Sequence, residues 1–211
     1  QMTVRQKEKA YAFVQNVRTE LEGRPAQPAT PGEPAPKALG FGNASDPITI
    51  RSSRLDVNDV TKVALFSGSV KAVQGEATLS SPEMEVSYEG SAVATDKPKD
   101  KADPATPAVS QADQGGRVKK VIAKNSVTLT QEGGQKATSR TAEFDAEKQT
   151  ALLEGDVVMS EGADRKATGD RAEIDQAAGT VLLTGPVVLT QGKNELRGRK
   201  QVRKMQMPAP S

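Results

Sequence analysis

The sequence predicts an all-β protein: a stack of two-strand units of about 30 residues, preceded by an N-terminal helix and a proline-rich linker. Two observations predict the stack. The phrase "LLEGDVVMSEG" recurs thirty residues later as "LLTGPVVLTQG", and recurrence at a fixed period marks a structural unit that packs on its own copy. Between clusters of turn-forming residues, apolar and polar side chains alternate as they do in strands with one buried face.

The N-terminal stretch "EKAYAFVQNVRTELEG" predicts a helix. Gly23 follows where a helix stop is expected. The apolar residues of the stretch recur at the spacing of one helical face: Ala10, Phe13, Val14, Val17 and Leu21. We therefore assign residues 1–22 to an amphipathic helix.

Composition divides the rest of the chain. Residues 23–46 carry a proline every few positions, which predicts an extended linker. Residues 47–207 alternate as strands do and form the predicted β domain. Residues 95–116 are rich in Pro, Ala and charge, and we expect a disordered insert there. Residues 208–211 are assigned to a tail.

Four anchor positions define the repeat: Gly68, Asn125, Gly155 and Gly185. Removing a 27-residue insert such as 90–116 makes every spacing 30. Apolar residues lie two before, two after and four after each anchor, so an extended strand points them to one face. A second repeated phrase sets an apolar residue between two charges, as in "EME", "EFD", "EID" and the looser "RLD".

Together these positions predict one apolar inner face. Its members are Phe66, Val70, Ala72, Met84, Val127, Leu129, Phe144, Leu153, Val157, Met159, Ile174, Leu183, Val187 and Leu189. The flanking acids recur in every unit, which is typical of a solvated strand face. A catalytic pair of carboxylates is expected only once.

Composition also excludes classes of protein. With no His and no Cys, the chain cannot build a Ser-His-Asp triad, a histidine or thiolate metal site, or a disulfide. No glycine-rich phosphate loop is present, and a net charge of +2 gives no general attraction to nucleic acid. We predict a protein that is not an enzyme and uses no metal or cofactor. A carbohydrate-cleaving β-helix is the weak enzymatic alternative.

The stretch "ITIRSSRLDVNDVTKVALFSGSVKAVQGEATLSSPEMEVSYEG" resembles the opening of the OstA-like family, the LptA-type lipopolysaccharide-transport proteins. The shared pattern is an Ile-x-Ile strand at Ile48 and Ile50, then "A-x-F-S-G-x-V-x-x-x-Q-G" over 64–75, then a charged strand that ends near Tyr88. "ATGDRAEIDQAAGTVLLTGPVVLTQGKNELRG" resembles the second half of the family. The resemblance covers residues 46–199 and departs from the family in the N-terminal segment, the insert and the basic C-terminal strand.

The resemblance implies a fold and a function. Members form an open, twisted β-jellyroll whose apolar interior holds the acyl chains of lipid A, so the inner-face residues above become lipid-binding candidates. The implied location is the periplasm. The implied partners are lipopolysaccharide, β-jellyroll proteins anchored in the inner membrane or set in the outer membrane, and further copies of the chain joined head to tail. Nucleic acid is not an expected partner.

The residues themselves leave two questions open. The inner face is either an accessible groove or a sealed core, and a sealed core would suit a self-polymerising scaffold without a lipid ligand. A basic cluster near the C-terminus is either an anion or partner contact or a charged edge that prevents aggregation. Its members are Lys193, Arg197, Arg199, Lys200, Arg203 and Lys204.

Overall fold

Alternating apolar and polar residues produce an antiparallel sheet along most of the chain. A computed structural model describes residues 2–5, 10–21, 41, 46–90, 117–131 and 133–204, and within these ranges the sheet has thirteen strands. The strands are β1 (Met2–Arg5), β2 (Ala10–Leu21), β3 (Ile48–Asn58), β4 (Val63–Gln74), β5 (Ala77–Glu89), β6 (Arg117–Lys124), β7 (Val127–Gln131), β8 (Gln135–Ser139), β9 (Thr141–Asp145), β10 (Thr150–Glu161), β11 (Arg165–Asp175), β12 (Thr180–Gln191) and β13 (Asn194–Lys204). The predicted all-β class is confirmed.

The strands follow one another across the sheet in a meander. The spatial order is β1-β2-β3-β4-β5-β6-β9-β10-β11-β12-β13. Strands β7 and β8 pair with each other and fill the space between the ends of β5 and β10. Strands β6 and β9 pair only from Lys120 opposite Asp145 to Ala123 opposite Ala142. Strands β7 and β8 continue the sheet beyond that point.

Long strands bend near their midpoints, at the glycine and asparagine anchors of the repeat. Gly68, Gly155 and Gly185 have φ values of 80°, 80° and 97°, and the pairing register shifts at each of them. Asn125, with φ 65°, separates β6 from β7. Glycine and asparagine adopt this left-handed backbone at the lowest cost, and the resulting bulges bend the strands.

Three buried serines lie beside the bends, on strands that neighbour the bent ones. Ser52, Ser81 and Ser139 each donate their hydroxyl proton to the carbonyl oxygen two residues further along the chain, at 2.9 Å. Each of these buried hydroxyls is therefore satisfied by a nearby carbonyl oxygen, within the same strand for Ser52 and Ser81 and at the start of β9 for Ser139. The bends divide the sheet into two parts. The first half is the part that ends at the turns after Asn58 and Asp145, and the second half is the part that ends at the turns of Gly75, Gly162 and Gly192.

The first half ends at turns that begin with an Asn or Asp. The Oδ1 atom of Asn58 accepts from the backbone N–H groups of Val60 and Thr61. Asp145 accepts in the same way from Glu147 and Lys148. Burial alone would raise the pKa of Asp145, but these backbone donors and the nearby ammonium of Lys148 lower it. The second half ends at the glycine turns of Gly75, Gly162 and Gly192.

The predicted N-terminal helix is wrong. Residues 10–21 form β2, which pairs with β3 along its length, from Ala10 opposite Asn58 to Leu21 opposite Ile48. The register shifts between Val14 and Val17, so β2 has a bend of its own. The sheet consequently begins before residue 47. A strand is favoured because it buries Phe13 and Val17 against the rest of the inner face.

The other predicted boundaries stay predictions. Of the linker 23–46, the structure describes Phe41 and Asp46. The insert 95–116 and the tail 208–211 lie outside the described residues. In the described part of the chain, no helix is long and apolar enough to cross a membrane.

Candidate functional site

The inner faces of the two halves enclose one cluster of buried apolar side chains. Residues directly opposite each other on neighbouring strands share a face, so the pairing register traces rows across the sheet. One row in the first half is buried throughout: Phe13, Leu55, Phe66, Met84, Ala123, Ala142, Leu153, Ala172 and Leu183. A sheet face can be this fully buried only when another layer covers it, and the second half is that layer.

A second row crosses the other half and opens toward solvent at β13. It consists of Thr19, Ile50, Ala72, Leu79, Leu129, Ala137, Met159, Ala167, Leu189 and Leu196. The exposed fraction is 1% at Leu129, 8% at Ala167 and 56% at Leu196. The apolar interior therefore reaches the surface along β12 and β13.

The interior is uncharged among the described residues. Its buried polar side chains are Thr19, Gln74 and the three serines of the bends. Gln74 donates from Nε2 to the carbonyl oxygen of Asp46 at 2.8 Å, whereas the Oγ1 atom of Thr19 has no hydrogen-bond partner among the described residues. Such an interior offers burial to an apolar group and no charge to a polar one.

One aromatic side chain in the interior comes from outside the strands. Phe41 is fully buried, and its ring meets the ring of Phe144 edge to face, with centroids 5.0 Å apart. The side-chain amide of Gln176 donates to the backbone carbonyl oxygen of Phe41 at 2.6 Å. The stretch around Phe41 carries no periodic pattern, so sequence reasoning missed this residue.

The predicted inner-face residues are brought together. All of them are buried in the cluster except Met159 and Leu189, which are partly buried against it. The sequence pattern did not predict Leu196, because it lies among basic residues that indicate a charged strand. The register signal that identifies it is its position opposite Leu189.

The repeated acids lie on the outer face, where basic residues on the same or neighbouring strands pair with them. Lys124 bonds Glu85 at 3.2 Å, and Lys120 bonds Glu143 at 2.7 Å. The hydrogen bond from Lys120 to Glu143 raises the pKa of the lysine. No group of His, Cys, Asp and Glu that could hold a metal ion occurs among the described residues. This arrangement suits a solvated strand face.

The basic cluster is only partly brought together by the fold. The side chains of Lys193, Arg197 and Arg199 are exposed on the last hairpin, and Arg197 forms an ion pair with Glu195. Lys200, Arg203 and Lys204 lie on the same strand, and the described structure does not extend to their side chains. Exposed cations on an edge strand suit both the anion contact and the edge guard.

Over the described residues, the fold is an antiparallel β protein whose two half-sheets enclose one uncharged cluster of packed apolar side chains. A family model described as "LptA/(LptD N-terminal domain) LPS transport protein" matches residues 49–170, more than half of the chain. The chain belongs to this family of lipopolysaccharide transport proteins.

A solved structure is also similar to the chain. It is LptH, described as the LptA homologous periplasmic component of the lipopolysaccharide transport device from Pseudomonas aeruginosa. The two share 15% sequence identity with a TM-score of 0.48, over 77% of this chain and 96% of the other. No curated protein sequence matches the chain.

Proposed function

We propose that the protein is a periplasmic carrier that holds the acyl chains of lipid A in its apolar interior while the sugars stay in water. The observation that carries the proposal is the continuous uncharged inner face, which runs from β2 to β13 and is exposed at Leu196. Burying a methylene contributes roughly 0.8 kcal/mol, so an acyl chain needs no charged or catalytic group to be held. The family supports lipopolysaccharide as the cargo.

The partly exposed end of the inner face is the proposed entry point for an acyl chain. Met159 and Leu189 pack at the margin of the cluster, and Leu196 continues their row at the surface. An acyl chain enters along this row and then displaces packed side chains further inside. Among the described residues, no strand pairing joins the first half to the second half, so we propose that the two halves separate without loss of that pairing.

Transfer to partners uses the two sheet edges. Among the described strands, none pairs with the outer side of β1 or of β13, and unpaired backbone N–H and C=O groups accept a further strand. Edge-to-edge addition aligns the interior of one jellyroll with that of the next. The partners we propose are an inner-membrane-anchored jellyroll, an outer-membrane jellyroll and further copies of this chain.

Titration of the purified protein with lipopolysaccharide, and in parallel with the same molecule stripped of its acyl chains, tests the proposal. Binding of the intact form alone supports recognition by the interior. Equal binding of both forms moves recognition to sugar or phosphate contacts, with the basic residues of β13 as the first candidates.

A sealed scaffold is the second candidate, and the near-complete burial of the inner row in the first half favours it. Such a protein ignores both forms of lipopolysaccharide and assembles into long, stable polymers. The same titration, combined with light scattering at increasing protein concentration, separates the two functions.

A further inference from the structure

Phe41 packs in the apolar interior that the proposed function assigns to acyl chains. Its ring is fully buried and packs on Phe144, an inner-face residue of β9. Phe144 lies in a row with Val121 on β6 and Ala151 on β10. Phe41 therefore packs against the inner face of the first half close to its turns, since Phe144 directly precedes the Asp145 turn and Gln176 lies in the turn after β11.

Strand pairing does not require this ring. Phe41 lies between β2 and β3 in the chain, outside every strand. The rows of the inner face continue from strand to strand through their own residues. The carbonyl oxygen of Phe41 accepts a hydrogen bond from the side chain of Gln176, in the turn after β11.

We propose that Phe41 is a built-in competitor for the acyl chains. This inference rests on the proposed function and adds to it a residue that sets the affinity. Without lipid, the ring covers apolar surface that water would otherwise meet. An acyl chain buries more methylene groups than one ring can, so lipid displaces the ring. Return of the ring lowers the affinity and favours release of the cargo.

Fluorine NMR tests the displacement directly. The protein has four phenylalanines, so incorporation of 4-fluorophenylalanine gives four resonances, and Phe41→Leu identifies the one from Phe41. Intact lipopolysaccharide is expected to move this resonance to the solvent-exposed position. Its deacylated form is expected to leave it unchanged. A Phe41 resonance that stays in place while binding of intact lipopolysaccharide is measured in the same sample overturns the proposal and leaves the proposed function standing.

Affinity provides a second measurement. Phe41→Ala is expected to bind intact lipopolysaccharide about tenfold more tightly, because the ring no longer competes for apolar surface. Gln176→Ala, which removes the hydrogen bond to the Phe41 carbonyl, is expected to act in the same direction with a smaller effect.

Phe66→Ala is the matched control, since it removes the same atoms from the wall in β4. Because Phe66 is itself an inner-face residue, we expect its loss to weaken binding, which is the opposite direction to Phe41→Ala. Equal or weaker binding by Phe41→Ala, or equal tightening by Phe66→Ala, contradicts the competitor role. Failure of the wild-type protein to bind any acylated form overturns the proposed function and this inference together.

Discussion

Gly155 lies directly against Arg140: a Cβ atom added to Gly155 would be 2.7 Å from the Cβ atom of Arg140. The backbone N–H of Arg140 also donates to the carbonyl oxygens of Glu154 and Gly155, at 3.0 and 2.9 Å. These bonds hold β10 close to the connection between β8 and β9. Glycine is therefore required at this bend by the close approach as well as by its φ of 80°.

Gly155→Ala is expected to destabilise the protein by about 2–4 kcal/mol. About 1 kcal/mol comes from placing a Cβ in left-handed backbone, and the rest from the clash with Arg140. Urea denaturation followed by circular dichroism measures the change in the free energy of unfolding.

Gly162→Ala separates the two contributions. Gly162 has a φ of 63°, and nothing lies within 4 Å of a Cβ placed there. Its substitution is expected to cost only the backbone term of about 1 kcal/mol. Equal losses at the two glycines would show that the contact with Arg140 has no energetic effect.

The sequence was sufficient to predict the repeat anchors because each needs an unusual backbone. Few residue types tolerate positive φ, so Gly or Asn stands at Gly68, Asn125, Gly155 and Gly185. The buried residues around them follow from alternation, which is a local property. The inner face was therefore predictable as a set, although its covering by a second layer was not.

The same bend explains the wrong helix. A bulged strand places its flanking buried residues four positions apart, as at Phe66 and Val70 or Leu153 and Val157. Phe13 and Val17 show this spacing too, and it imitates one face of a helix. Val14, which the helix was expected to bury, is exposed in β2. The two patterns differ only in context that lies outside the segment.

Phe41 and Leu196 were not predictable because their roles depend on distant residues. Phe41 contacts Phe144 and Gln176, which are more than a hundred positions away in the chain. Leu196 belongs to the inner row because β13 pairs with β12 in one particular register. Neither relationship leaves a periodic signal in the sequence.

Tyr88 is expected to make stability fall at alkaline pH. Burial, followed by the nearby Asp59 carboxylate, raises the pKa of Tyr88 above its ordinary value of 10.0, and its hydroxyl donates to Oδ1 of Asp59 at 3.3 Å. Above pH 10 the unfolded chain loses the phenol proton while the folded protein keeps it. The unfolded state then binds fewer protons, so the free energy of unfolding decreases as pH rises.

Tyr88→Phe checks this sign. The variant is expected to lose less stability than the wild type between neutral pH and a pH above 10, because it has no phenol to ionise. Urea denaturation at both pH values gives the two differences. Equal differences would assign the alkaline loss to other groups, such as the lysines of the outer face.

Replacing residues 91–116 with a short turn is expected to leave lipopolysaccharide binding unchanged. Glu89 and Arg117 are paired at the adjoining ends of β5 and β6, so a short connection closes the hairpin. The same titration with wild-type and shortened proteins measures the effect. Weaker binding by a shortened protein with an unchanged far-UV circular dichroism spectrum would place a ligand contact in the removed segment.

Leu196→Asp is expected to weaken binding of intact lipopolysaccharide at least about tenfold, because a charge at the open end of the row opposes entry of acyl chains. Val157→Asp is expected to abolish binding altogether, but Val157 is fully buried. A charge there costs several kcal/mol of folding free energy, so its effect mixes binding with stability. Leu196 is already exposed, and its substitution should change stability by only about 0.5 kcal/mol.

Val60→Asp is the matched control for Leu196→Asp. Val60 is 66% exposed in the turn after β3, at the end of the first half and away from the row of Leu196. It receives the same charge and should bind lipopolysaccharide as the wild type does. If both variants bind equally well, acyl chains do not enter beside β13, and the route must lie elsewhere along the two half-sheets. If both weaken equally, net charge controls the interaction, and sugar or phosphate contacts replace the interior as its basis.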